Sequence, residues 1–471
     1  MAHVTANGSG PEQGSSADQP LSIIYRNVNE LKFDPVNPRV HTRAQIRQIA
    51  KSIEAFGFNV PTLINNERRL IAGHGRVLAA QLLGMTKVPT ITLEHLTDAQ
   101  IRAFVIADNR LTENAEWNEQ LLAEQLRELS LLDLDFSIEA TGFEMAEIDL
   151  MIDSLVPAHL DKVDPADAIP SVRTKTEVTK AGDVWLLDRH RVLCGDARDE
   201  PVYPILLCGR RAAVVFTDPP YNDPIDQYVT NFGKTHHPEF AMASGEMSER
   251  EYAGFLLSIF TLLARYAEDG ALQYICMDWR HTPELLAAAR QAFTEFKNLC
   301  VWVKDIAGQG SLYRSQYELV FVFKTGKSRH RNNIQLGQFG RYRTNVWQYR
   351  RVNSRFATPD EGDLALLHPT VKPVNLVADA ILDSTARGEV VLDPFLGSGT
   401  TVIAAERTGR ICYGIELEPH YVDTIVRRWQ AFTGQNAVLE STGRIFAEIE
   451  EENNGRAESI RKSRNTEDRV L

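Results

Sequence analysis

The sequence predicts an α/β protein in which a smaller α/β unit precedes a large doubly wound sheet covered by helices on both faces. Three observations carry this. From about residue 178 onward, apolar runs of strand length alternate with amphipathic stretches of helix length. Two of those runs end in turns of unusual composition, Thr217-Asp218-Pro219-Pro220-Tyr221-Asn222 and Asp393-Pro394-Phe395-Leu396-Gly397-Ser398-Gly399, where open parallel sheets bind ligands. A proline-rich, aperiodic stretch, 156–177, separates this region from what precedes it.

Residues 1–20 are polar and rich in Gly, Ser and Gln, which predicts disorder, and they lack the apolar stretch of a secretory signal. From Thr42 the chain reads as a helix: Thr42 and Gln45 have capping-box spacing, Ile46, Ile49, Ala50 and Ile53 share one face, and Gly57 can end it. The apolar segment Thr62-Leu63-Ile64 follows, and Ile71-Ala72-Gly73-His74-Gly75-Arg76 then opens a second helix over 77–83, with a strand at 88–93. Helical stretches carry this unit over 21–155, and 156–177 reads as a linker.

Over 178–445, strands are expected at 184–187, 213–217, 272–277, 319–323, 390–392 and 411–415. Ser248 and Glu251 repeat the capping-box spacing ahead of Phe255, Leu256, Ile259, Leu262 and Leu263, one face of a helix. Between Lys324 and Arg355 the rhythm breaks: nine Lys or Arg and no Asp or Glu interleave with Phe339, Tyr342, Trp347 and Tyr349. The tail, 446–471, is charged and expected to be solvated.

Composition narrows the function. A chain of 471 residues predicts two to four domains at roughly 100–200 residues each. It contains no run of about 18 apolar residues, so a cytoplasmic protein without a membrane span is expected. The net charge of −12 argues against coating nucleic acid non-specifically, yet allows a local basic groove. The five cysteines, Cys194, Cys208, Cys276, Cys300 and Cys412, lie far apart, so neither a disulfide framework nor a metal site is expected.

The sharpest local signal is Asp218-Pro219-Pro220-Tyr221 after an apolar strand. A given four-residue string with two prolines arises by chance in only about one in several hundred chains of this size. The prolines fix φ and remove two backbone donors, which frees carbonyls to accept from a ligand; Asp218 adds a carboxylate acceptor and Tyr221 an aromatic face. Two acceptors and a stacking platform suit the exocyclic amine of a flat heterocycle. A proline-rich turn capped by Asp is the plainer alternative. The second signal is the glycine-rich turn before a helix over 401–407, with Glu416 ending the next strand nineteen residues after Gly397. Those are the parts of a nucleoside-binding βαβ unit, the acid accepting from ribose hydroxyls. No Lys follows Gly399, which disfavours a phosphate-binding P-loop.

Asp218-Pro219-Pro220-Tyr221 together with Phe395-Leu396-Gly397-Ser398-Gly399-Thr400 closely resembles the amino-group DNA methyltransferases that use S-adenosyl-L-methionine. The catalytic string comes first and the cofactor turn last, as in the circularly permuted β group of that family, whose fold is a Rossmann-like sheet. The resemblance spans about 180–430 and adds two segments in the family's order. His368-Pro369-Thr370-Val371-Lys372-Pro373 is similar to the segment lining the methionine end of the cofactor, and Cys194-Gly195-Asp196-Ala197 to the one whose acid lies near its adenine. The resemblance implies Asp218, Pro219, Pro220 and Tyr221 as catalytic residues, and Asp196, His368, Lys372, Asp393, Phe395, Gly397, Gly399, Thr400 and Glu416 as cofactor-binding residues. It also implies a base flipped out of duplex DNA and stacked on Tyr221, with 222–245 as a mobile loop beside it. Ring-carbon methylation is disfavoured, because it needs a cysteine after a proline and none of the five follows one.

The basic segment 324–355 then reads as the target-recognition groove, with Arg329, Arg331, Arg341, Arg343, Arg350 and Arg351 meeting DNA; an ordinary solvated face is the alternative. The amino-terminal unit resembles the ParB-like domain through Asn37-Pro38-Arg39, the stretch 53–61 with Gly57, and Gly73-His74-Gly75-Arg76-Val77-Leu78-Ala79-Ala80. Gly73 and Gly75 before a helix offer backbone N–H groups to an anion. In ParB relatives an acid and paired arginines bind nucleotide phosphates here, where this chain has His74 and Gly75, so a DNA contact, a nucleotide contact and a scaffold role stay open.

The expectation is thus a DNA methyltransferase acting on the exocyclic amine of a flipped base in double-stranded DNA. Asp at the first position of the string leans toward adenine, since family members acting on cytosine more often carry Ser there. Cytosine, an RNA or protein substrate, and a ParB-like regulatory protein with an inactive methyltransferase half are the rivals. With no nuclease constellation in the chain, a stand-alone or mobile-element enzyme is favoured over a self-contained restriction enzyme, and a restriction-modification setting and a homodimer are left open.

Overall fold

The computed structural model describes residues 21–155, 164–168, 177–222, 245–307, 312–352 and 371–455. The expectations for 1–20, for the histidine at 368, for nearly all of the 156–177 linker and 222–245 loop, and for most of the tail lie outside them. Among the described residues no helix is long and apolar enough to cross a membrane. The chain divides into two units, residues 1–144 and 145–471.

In the first unit, β1 (Ile24–Asn27), β2 (Thr62–Ile64), β3 (Leu70–Ala72) and β4 (Lys87–Thr92) form a four-stranded sheet in the order β1-β4-β2-β3. Helices α1 (Arg43–Phe56) and α2 (His74–Leu82) pack together beside it, followed by α3 (Asp98–Glu113) and α4 (Glu119–Leu131). Thr42 caps α1 by accepting from the Gln45 N–H at 3.1 Å, but the capping box is half made, because the Gln45 side chain turns to His41 Nδ1 at 3.0 Å. Gly57 ends α1 at φ 84°, as its position suggests.

The second unit opens with α5 (Met145–Ser154), eleven residues before the expected boundary, and is built on a ten-stranded sheet. Its strands and helices run β5 (Val184–Leu187), β6 (His190–Cys194), α6 (Val202–Leu207), β7 (Ala212–Thr217), α7 (Glu249–Tyr266), β8 (Ala267–Met277), α8 (Thr282–Ala292), β9 (Glu295–Val303), β10 (Tyr317–Lys324), β11 (Val346–Gln348), α9 (Val374–Ser384), β12 (Val390–Asp393), α10 (Thr400–Thr408), β13 (Ile411–Glu416), α11 (Pro419–Thr433) and β14 (Val438–Leu439). The spatial order is β11-β9-β10-β8-β7-β12-β13-β6-β5-β14. The central five, β8-β7-β12-β13-β6, are mutually parallel, with antiparallel additions on either side.

Two cores sandwich this sheet, which is why its strands read as unbroken apolar runs. Val214 and Phe216 of β7, Val391 of β12 and Cys412 of β13 enter the core under α9, α10 and α11. Val215, Val390, Leu392, Ile411, Tyr413 and Ile415 face the other core, under α6, α7 and α8. Each buried Val, Leu or Ile contributes about 1.5–3 kcal/mol. The complete Ser248–Glu251 capping box fixes where α7 starts, as expected. Strands β7 and β12 lie side by side although more than 170 residues separate them, so their carboxyl ends open onto one crevice.

Candidate active site

Three neighbouring parallel strands end at this crevice with acids: Asp218 follows β7, Asp393 ends β12 and Glu416 ends β13. Strands in a sheet lie about 4.8 Å apart, so the proline string and the glycine turn are adjacent. Lys372 ties them directly. Its Nζ donates to Asp218 Oδ2, and its backbone carbonyl accepts from the Thr400 hydroxyl at 3.3 Å.

The string itself is held rigid. The Pro220 carbonyl accepts from the Tyr252 hydroxyl at 2.8 Å. Asn222, at φ 59°, accepts from the N–H groups of Gly245 and Met247 and donates to the Met247 carbonyl at 2.8 Å, which ties the end of the string to the residues ahead of α7. The Tyr221 hydroxyl lies 2.6 Å from Asp218 Oδ1 and 2.8 Å from Glu318 Oε1. Lys372 Nζ is also 2.8 Å from Glu318 Oε1, and Lys304 Nζ is 3.0 Å from Glu318 Oε2. Burial pushes the Asp218 carboxyl up in spite of Lys372. Burial acts the same way on Glu318, but Lys372 and Lys304 outweigh it and hold that carboxyl down at about 2. Lys372 is itself buried, yet the two carboxylates keep its ammonium well above the ordinary range. Asp218, Cys276 and Glu318 bring ligand atoms within 4.8 Å of one another, and the Lys372 ammonium already bonds both carboxylates.

The glycine turn is closed by the acids around it. Asp393 accepts from the Phe395 N–H at 3.0 Å and the Thr401 hydroxyl at 2.6 Å, so it shapes the turn from beneath; burial raises its carboxyl to about 6. Glu416 accepts from the Gly397 N–H at 2.8 Å and the Glu418 N–H at 3.0 Å, and burial lifts it to about 7. Gly399 stands at φ +83°, and a Cβ there would meet Ile425 at 3.0 Å. A Cβ on Gly414 would come within 2.4 Å of Leu396. The Phe395 ring lies tilted by 44° against Phe255, with centroids 6.4 Å apart. Asp196 sits past the end of β6 and is taken by the Arg198 guanidinium; burial alone would raise its carboxyl, but Arg198 holds it below the usual range.

Sequence reasoning missed several residues that this geometry depends on. Glu318, Lys304 and Asn222 are three. Arg428 on α11 is a fourth: it is 2% exposed and donates to the Ser398 carbonyl at 3.1 Å, the Thr400 hydroxyl at 3.2 Å and the Ala166 carbonyl at 2.9 Å, bracing the turn from behind. Burial pulls its guanidinium down to about 10. An arginine between Val422, Ile425, Val426 and Trp429 on a helix's apolar face was the signal available.

The basic segment divides in two. Arg341 donates to Asp383 Oδ1 at 2.6 Å, while Arg343 reaches Asp383 Oδ2 at 3.1 Å and Asp379 Oδ2 at 2.8 Å, so these two are fastened inward onto α9 instead of facing DNA. Arg329 and Arg350 are exposed, Arg331 lies 3.5 Å from Glu389, and the Arg351 backbone N–H donates to Asp305. In the first unit Gly73 precedes α2 at φ 95°, the Arg76 guanidinium turns back to the Pro61 carbonyl, and His74 is buried, with burial and His41 lowering its pKa.

A doubly wound sheet with an Asp-Pro-Pro-Tyr tip beside a glycine turn and a strand-terminal acid defines an amino-group methyltransferase class of site. The chain carries a DNA methylase domain of the N6/N4 type, whose cofactor is S-adenosyl-L-methionine, together with a ParB-like amino-terminal domain. The DNA methylase family profile matches residues 212–427, and the ParB-methyltransferase HTH domain profile matches 120–181, running through the stretch that composition marks as a linker. Similar proteins include the ParB-like nuclease domain-containing protein YnaK of Escherichia coli (strain K12), 46% identical over 80 residues that make up 17% of this chain and 92% of that protein. The DNA adenine methyltransferase YhdJ of the same strain is 27% identical over 282 residues, 55% of this chain and 87% of its own. Among solved structures, the PvuII DNA methyltransferase (cytosine-N4-specific) aligns at 16% identity over 59% of this chain and 94% of its own, with a TM-score of 0.39.

Proposed function

We propose that the protein methylates the exocyclic amine of a base extruded from double-stranded DNA, adenine rather than cytosine, with S-adenosyl-L-methionine as the methyl donor. The observation that carries this is the pairing of Asp218 at the tip of β7 with the Gly397–Gly399 turn after β12, joined by Lys372. Asp at the first position of the string and the likeness to a DNA adenine methyltransferase both support adenine.

The residues present fit the cofactor. The turn leaves no room for a side chain at Gly399, and Glu416 offers a buried carboxylate of the kind that accepts ribose hydroxyls. Gly397, Glu416, Asp196 and the Lys372 segment would hold it, and when bound it supplies an electrophilic methyl on a sulfonium. An aromatic amine is a poor nucleophile, because its lone pair is delocalised into the ring. Asp218 and the Pro219 carbonyl accept its two hydrogens and turn the lone pair toward the methyl, so catalysis comes mainly from orientation and electrostatics. Asp218 then takes the proton that the alkylated nitrogen releases. The exposed Arg329 and Arg350 contact phosphate, and the ParB-like domain adds a second DNA contact.

Expression in a methylation-free host, followed by sequencing with modified-base detection, tests the reading: N6-methyladenine at one defined site is expected, N4-methylcytosine would move the target base, and unmodified DNA would refute it. A second expectation concerns Glu416. With its carboxyl raised to about 7, it is increasingly protonated as pH falls, so its ability to accept from two hydroxyls is lost on the acid side. Titration calorimetry should show S-adenosylmethionine affinity weakening from pH 8 to pH 6, a slope that Glu416→Gln removes. Glu416→Ala should weaken binding by about 10- to 100-fold at pH 8, the loss of hydrogen bonds to a charged group.

A further inference from the structure

Both oxygens of Asp218 already hold a donor, Lys372 Nζ on Oδ2 and the Tyr221 hydroxyl on Oδ1. A target amine must find a place on the same carboxylate. Neither donor depends on Asp218 alone, since each also reaches Glu318 Oε1 at 2.8 Å. Lys304 on Oε2 completes a cluster of two carboxylates and two ammoniums with no net charge. Glu318 stands at the start of β10, which runs antiparallel to β8, so it enters the crevice from the side opposite the glycine turn.

We propose that Glu318 is a positioning residue for methyl transfer: Lys372 is the stand-in for the target amine on Asp218, and Glu318 is the second seat that keeps Lys372 and Tyr221 in place once the base arrives. The exchange is isosteric in its chemistry, one N–H donor replacing another on Asp218 Oδ2, and it costs little because the displaced ammonium keeps a full negative charge as partner. Without that charge, Lys372 has only Asp218 to neutralise it and competes with the base throughout the reaction. This rests on the methyltransferase reading above.

Several groups face Asp218: Lys372 before α9, Glu318 on β10 with Lys304 behind it, Tyr221 on its own string, Cys276 on β8 and Asp393 on β12. Of these, the Glu318 charge raises the Asp218 carboxyl. Glu318→Gln keeps the shape and removes the charge, so Asp218 should ionise at lower pH and the acid limb of kcat should move down.

The test is steady-state transfer of labelled methyl from S-adenosylmethionine to duplex DNA carrying the modified site, with cofactor affinity measured alongside by calorimetry. Glu318→Gln should lower kcat by about 10- to 100-fold with cofactor affinity within about twofold of wild type, and its acid limb should lie at lower pH. Glu318→Asp, which retains the charge one methylene further back, should recover part of kcat. Wild-type kcat with an unshifted limb in Glu318→Gln would overturn the proposal while leaving the enzyme reading intact. Cofactor affinity falling in step with kcat would overturn it as well, by making Glu318 a support of the whole crevice. Absence of transfer by the wild-type chain would remove both.

Discussion

Asp218→Ala should abolish methyl transfer, lowering kcat by at least about 10³-fold, while S-adenosylmethionine affinity should stay within a few-fold of wild type. The expected split follows from where Asp218 sits. Its carboxylate touches Lys372 and Tyr221 and makes no contact with the glycine turn, which is closed by Asp393 and Glu416. Lys372 keeps Glu318 as a partner when Asp218 is removed, so no buried ammonium is stranded and the crevice holds its shape. What the substitution would remove, on the proposed mechanism, is the acceptor that orients the amine and takes its proton. Labelled methyl transfer and calorimetry on the same preparation separate the two effects, and equal loss in both would contradict the assignment. Asp218→Asn should lie between, because one acceptor oxygen survives without the charge.

The parts of this site that were legible in the sequence are those whose chemistry is local. The proline string, the glycine turn and Glu416 each announce a backbone shape or a strand end, and the runs that became β7, β12 and β13 are apolar on both faces. Strand β6 escaped because His190 and Arg191 interrupt its apolar pattern. Both are buried with partners that lie far along the chain: His190 with Glu406 at 2.8 Å, Arg191 with Glu440 at 2.9 Å. Charge deceived in the same way at Arg341 and Arg343. Asp379 and Asp383, one helical turn apart on α9, present their carboxylates to both arginines, and no reading of residues 324–355 alone contains that fact. Tyr221 was expected to offer its ring, and its hydroxyl proves to be engaged with two carboxylates. Glu318 lies 97 residues from Tyr221 in sequence, a distance at which periodicity and spacing carry no information.

Asp149→Ala should be the most destabilising substitution in the second unit outside its apolar cores, lowering the free energy of unfolding by about 3–5 kcal/mol. Asp149 on α5 is 1% exposed; its Oδ1 accepts from Arg410 at 2.9 Å and Arg387 at 3.0 Å, and its Oδ2 accepts from Arg410 at 2.8 Å. Arg410, fully buried, spends its remaining donors on the Thr385 hydroxyl, the Thr385 carbonyl and the Thr408 carbonyl. Removing this carboxylate takes the bonded counter-charge from both buried guanidiniums, leaving Arg387 only the charge of the nearby Asp153, and burial already holds Arg387 below its ordinary pKa. This ion cluster ties α5 to the sheet-bearing unit although composition sets the break later: one carboxylate on a ten-residue helix meets two arginines that follow α9 and α10. Denaturant unfolding of the full chain should show the loss, and amide exchange should accelerate first over Met145–Ser154. Asp149→Asn, which keeps the hydrogen-bonding shape, should recover only part of it. An Asp149→Ala chain as stable as wild type, with α5 equally protected, would mean that the apolar contacts of Ile148 and Ile152 dock the helix without the ion pair.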